Sequence, residues 1–177
     1  RWIAQGVLDL DPFPSDSLSL SAVVLGSLPE AGLPEYARGQ TPLVPRPSTR
    51  FSSGETINVY LEIYGLKPGP DSARAYFEGV RVERLQEGEK KIRKFKGKTS
   101  APLEFEEKAT QTSLNHIFQR IVPTADGPAV EVFTLETEGL LPGSYRLVIQ
   151  SLDNNGGGWD IEETFFDIVP AGAQAVR

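Results

Sequence analysis

Along the chain the plainest regularity is an alternation of apolar and polar side chains, the period of a half-buried strand, whose successive residues leave it on opposite faces. It is clearest from Thr56 to Tyr64, where Ile57, Val59, Leu61 and Ile63 share one face and Asn58, Tyr60, Glu62 and Tyr64 the other. β-branched and aromatic residues fill that stretch, so it predicts a central strand. Leu18, Leu20, Ala22 and Val24 alternate with Ser19, Ser21 and Val23 between Asp16 and Gly26, which predicts a second. Six more short strands are predicted at 75–85, 103–108, 116–122, 130–135, 145–150 and 164–169.

The separators are turn formers: Lys67-Pro68-Gly69-Pro70, Gln86-Glu87-Gly88-Glu89, Asp126-Gly127-Pro128, Pro142-Gly143 and the run from Asn154 to Gly158. The nearest rival helix is 103–115, with Glu104, Glu106, Glu107 and Lys108, but its Leu103/Phe105 alternation and the Thr110/Thr112 pair favour extended chain. About eight short strands without intervening helices predict an all-β fold, an immunoglobulin-like or fibronectin-III-like antiparallel sandwich of seven to nine strands. Its predicted core is Leu20, Val24, Ile57, Val59, Leu61, Ile63, Val132, Tyr145, Leu147, Ile149, Phe166 and Ile168. Gly79 and the doubled Phe165/Phe166 break the alternation, which places β-bulges there.

Residues 29–48 hold Pro29, Pro34, Pro42, Pro45 and Pro47 and few bulky apolar side chains, and predict an irregular or polyproline-like surface link. The 177 residues are 39% apolar and 24% charged, which suits one sizeable core, so residues 1–177 are read as a single sandwich domain with that link inside it. No stretch approaches the roughly 20 apolar residues of a membrane helix. The net charge of -6 argues against nucleic acid, whose binding draws on cations that neutralise phosphates. With no cysteine, disulfides, thiolate metal sites and thiol nucleophiles are excluded while the compartment stays open. There is no methionine and no signal peptide before Arg1, so the chain reads as an excised piece of a longer protein.

From Gly139 to Asp153 the sequence reads as a corner followed by a strand whose first inward side chain is Tyr145. In immunoglobulin-like sandwiches such a tyrosine bonds through its hydroxyl to backbone a few residues upstream. The stretch from Leu18 to Leu25, the proline-rich link, Arg50 to Leu66, the Pro142-Gly143-Ser144-Tyr145 strand and Glu163 to Ile168 together resemble a known region. It is the β-sandwich of large exported bacterial proteins that carry a GWxTD or a von Willebrand factor A-like domain ahead of it. The resemblance implies an extracytoplasmic accessory module, periplasmic, surface-bound or secreted, that engages protein partners or neighbouring domains. It supplies no catalytic residues. The chain departs from the GWxTD motif itself, since Gly158-Trp159-Asp160 is followed by Ile161 and Glu162 in place of Thr and Asp.

Charge is spread unevenly, with 11 basic against 8 acidic residues over 71–120 and 2 against 9 over 121–177. Lys90, Lys91, Arg93, Lys94, Lys96 and Lys98, interleaved with Ile92 and Phe95, form a candidate polyanion or partner patch; a solvated hairpin is the blander alternative. Asp153, Asp160 and Glu162 bring hard oxygens to one loop and are weak calcium candidates, set against a flexible Asn/Gly hairpin. Trp159, with Tyr60 and Tyr64, is a candidate stacking platform for a sugar or a partner side chain, set against a tryptophan that plugs the end of the sandwich. His116 is the single histidine, and neither a G-x-S-x-G elbow nor an H-E-x-x-H motif accompanies it. The expectation is therefore a non-catalytic binding or spacer module with no cofactor and no named small-molecule ligand. The alternatives are a carbohydrate-binding module and, further off, a hydrolase with an acidic pair.

Overall fold

A computed structural model describes residues 17–27, 37–38, 41–85, 112–122 and 127–172. Among them the regular structure is strand throughout, with no helix. One sheet is built on β7 (Thr56–Tyr64), which pairs with β10 (Ala129–Glu136) along one side. Along the other side it pairs with β1 (Ser19–Leu20) and then β2 (Val24–Ser27), and β5 (Val44–Pro45) lies outside β2. The second sheet runs β6 (Arg50–Ser52), β12 (Trp159–Val169), β11 (Gly143–Asp153), β8 (Arg74–Arg84), β9 (Thr112–Val122). Its pairs are antiparallel except β6 with β12, which is parallel. A small ladder joins β3 (Ala37–Arg38) to β4 (Thr41–Pro42). With β1/β2, β7 and β10 in one layer and β8, β11 and β12 in the other, the strand order is that of an immunoglobulin-like sandwich.

The core fills as the alternation of β7 requires: Ile57, Val59, Leu61 and Ile63 are all fully buried against Val80, Val82, Leu147, Ile149, Phe166 and Ile168 of the second sheet. Tyr145 stacks on Phe166 with ring centroids 5.4 Å apart, and Phe51 meets Phe166 edge-on at 6.3 Å. The Tyr145 hydroxyl donates to the Leu141 carbonyl at 2.6 Å, closing the corner before β11 as its sequence position implies. Burial pushes that phenol's pKa up, so it stays a donor.

Several expectations are corrected. Val24 is only half-buried and Leu25 takes its place in the core. Leu20 pairs with Ile63 and Val24 with Tyr60, so β1 and β2 spend one residue more than β7 over that span, and the extra residue reverses which face each side chain takes. Ser21 holds the break together, donating its N–H to the Glu62 carbonyl at 2.8 Å and accepting the Glu62 N–H on Oγ at 2.9 Å. Gly79 pairs in register with Gln150 and Ile117, and Phe165 and Phe166 with Arg146 and Tyr145, so neither expected bulge forms; the shift in β8 falls between Val82 and Glu83.

Val132 also lies outside the core, half-buried opposite Tyr60, because β10 turns Ala129, Glu131 and Leu135 inward. Of the proline-rich link, the described part is partly regular: β5 is an edge strand, where Pro45 costs no ladder bond. Leu43 is buried there against Gly26, whose Cβ, if it had one, would lie 3.0 Å from Leu43 Cγ. β9 to β12 run longer than expected, and short strands such as β6, which has no alternation to announce it, join the expected ones. The strand expected at 103–108 lies outside the described residues.

Candidate functional site

Every strand of the second sheet turns one row of side chains away from the core, and on this outer face the rows are read directly from the register. Gln119, Phe77, Leu152 and Trp159 stand side by side across β9, β8, β11 and β12. The adjacent row is Ile117, Gly79, Gln150 and Ile161, and Ile121 stands beyond Gln119 opposite Ala75. Ile121 is 69% exposed, Ile117 59% and Phe77 42%, while Leu152, Trp159 and Ile161 are half-buried beside them. Apart from Gln119 and Gln150 these rows are apolar, and none of their side chains is charged.

Further along the same face the character changes. Arg81 lies 2.7 Å from Glu83, Arg146 Nε donates to Glu83 at 2.8 Å, and Arg146 reaches Glu163 at 3.9 Å. Long side chains of both signs thus pair laterally across β8, β11 and β12 over Val148, which is buried beneath them. Paired charge thus borders the largely apolar rows on the same sheet face.

The sequence-predicted platform does not assemble. Trp159 belongs to this face, but Tyr60 and Tyr64 lie on β7, in the other sheet. Tyr60 is fully buried, and both phenols donate to the Glu62 carboxylate between them, so they brace an acid rather than offer open rings. The plug reading of Trp159 is replaced by a position in the row beside Leu152.

At the candidate calcium loop the carboxylates are engaged by the chain itself. Asp153 is buried, its Oδ2 accepting the Lys67 N–H at 3.0 Å and its Oδ1 the Asn155 N–H at 2.9 Å. Asp160 Oδ2 accepts the Leu20 N–H at 2.8 Å, tying β12 to β1, and Glu162 stands opposite Ile149. Among the described residues no three histidine or acidic side chains are grouped to hold a metal ion. His116 is exposed on β9, its ring edge-on to Phe118 at 6.2 Å. Lys90, Lys91, Arg93, Lys94, Lys96 and Lys98 lie outside the described residues.

Sequence reading missed Phe77, Ile117 and Ile121 as surface residues. The signal was available: counting back in twos from Val80 and Val82 puts Glu78 and Tyr76 inward and Phe77 outward. Comparison with family models and with curated proteins finds no match for this chain. Among the described residues no helix is long and apolar enough to cross a membrane.

Proposed function

We propose that this chain is a non-catalytic binding module of a larger exported bacterial protein, and that it engages a protein partner through the outer face of the second sheet. The supporting observation is the cluster of Phe77, Ile117, Ile161 and Trp159 in two adjacent rows, with Ile121 beyond them, largely apolar and in part open to solvent on a single sheet face. Protein surfaces match such a mixture, since an uncharged centre desolvates readily while a charged border sets orientation. A sugar platform fits it less well: the two aromatic residues are separated by Leu152, so they offer no continuous aromatic surface to a ring. The exported location rests on the sequence resemblance described above.

The test places a photo-crosslinking residue at position 117, or at the exposed position 138 as control, in the full-length protein within its source cells. The expected result is one adduct of defined mass from position 117, absent from position 138 and lost when Ile121→Glu is added. Equal labelling from both positions, or none from either, overturns the reading. A glycan array with the folded chain separates the carbohydrate alternative: binding that Trp159→Ala abolishes would replace the proposal.

A further inference from the structure

The same phase that turns Phe77 outward turns an acid inward. Glu78 is 0% exposed, between Tyr76 and Val80 on the interior face of β8. Neither of its carboxylate oxygens has a hydrogen-bond partner among the described residues. The side chains beside it in register are Phe118 on β9 and Ser151 on β11, and Ser151 Oγ is itself buried without a partner. From the opposite sheet β10 sends in Glu131, also buried. A carboxylate without donors in such a place carries its full desolvation cost, which a bound proton removes.

The surrounding charges decide which acid takes the proton. Glu131 accepts the Tyr76 hydroxyl on Oε1 and has the Arg120 guanidinium 3.4 Å from Oε2, so a negative charge on it is supported from β8 and β9. Arg74, on β8, donates to the Gly127 carbonyl at 2.7 Å. On β11 Asp153 accepts two backbone N–H groups, and on β12 Asp160 accepts the Leu20 N–H, with Glu162 two residues on along the same face. Besides Glu131 of β10, the strands of the first sheet at this end, β1 and β7, contribute Leu20, Leu61 and Ile63, which carry no charge. Glu78 is thus the buried acid at this end whose carboxylate accepts no hydrogen bond from the described residues.

We propose that Glu78 is a proton-operated lock: the folded chain holds it as a neutral acid at neutral pH, so that acidification tightens the sandwich and rising pH loosens it. Burial first, and then the charge of Glu131, raise its pKa from 4.5 to about 8 in the folded chain, while Arg120 opposes the shift. Between those two values the folded chain holds one proton more than the unfolded chain. The contribution is therefore full below about pH 4.5, declines as pH rises towards about 8, and is constant above it. One extra proton corresponds to about a tenfold change in the unfolding constant per pH unit. For an exported module this favours the tight form in acidic surroundings.

The experiment is urea unfolding of the whole chain at several values between about pH 5 and about pH 7.5, beside Glu78→Gln and Glu78→Leu. The expected ratio of the wild-type unfolding constant to either variant's rises about tenfold per pH unit across that range. A flat ratio overturns the proposal. Should both variants fail to fold, infrared difference spectroscopy of the wild-type chain decides it through the buried carboxyl groups. A protonated carboxyl C=O band that persists at neutral pH and is lost on further alkalinisation supports the lock. Absence of that band at neutral pH overturns it.

Discussion

At the scale of single residues, stability at the corner before β11 runs through one phenol. Tyr145→Phe keeps the ring stacked on Phe166 and removes only the 2.6 Å bond to the Leu141 carbonyl. Leu141 is itself exposed, so water can replace the lost donor, and the expected cost is about 1 kcal/mol in urea unfolding with the denaturant slope unchanged. Gly156→Ala should cost more despite adding a single methyl. Its Cβ would stand 2.5 Å from Asp153 Oδ2 and 2.7 Å from Lys67 Cγ, displacing the carboxylate that accepts the Lys67 N–H. About 2 kcal/mol is expected, on the scale of a buried acceptor deprived of its donor, again read from the urea midpoint. Tyr145 was legible in the sequence because the corner has a local spelling. The role of Asp153 was not, since its partner Lys67 lies 86 residues away in another loop.

At the scale of strands, what sequence reveals depends on how many neighbours share a strand's phase. β7 is paired on both sides and packed on its inner face, so its alternation and its position agree from Thr56 to Tyr64. The segment before it carries an equally regular pattern, yet the extra residue between β1 and β2 gives Leu25 the core position expected of Val24. Periodicity counts residues and cannot see where a ladder skips one. Deletion of Ala22 should expose this directly. With the extra residue gone, either Leu20 or Leu25 must leave the core, and the chain is expected to lose about 2–4 kcal/mol, the range for losing a large buried aliphatic side chain. A deletion mutant as stable as the parent would contradict the bulge. In β8 and β10 residue type misleads where phase does not: by polarity Glu78 and Glu131 look like solvent residues and Phe77 and Val130 like core ones, but the phase set by Val80, Val82 and Leu135 turns them the other way.

At the scale of the whole molecule, protection should follow depth in the two sheets. Amides of β7, β8 and β11, each flanked by strands on both sides, are expected to exchange most slowly, and those of β5 and β6 at the described margins fastest, in native-state hydrogen exchange. The fold class was legible because many short alternating runs and turn clusters admit few other arrangements. The face on which Phe77, Ile117 and Trp159 meet was not, because they sit on three strands that only the register brings together. One pairing in that register bears on how a spacer would carry load. β6 and β12 run parallel, fastened by the Asp167 N–H to the Thr49 carbonyl at 2.8 Å and the Ser53 N–H to the Val169 carbonyl at 2.8 Å. Tension applied between Thr49 and Pro170 pulls these two strands past one another lengthwise, so their bonds must yield together instead of peeling one by one, and the junction resists force as a clamp does.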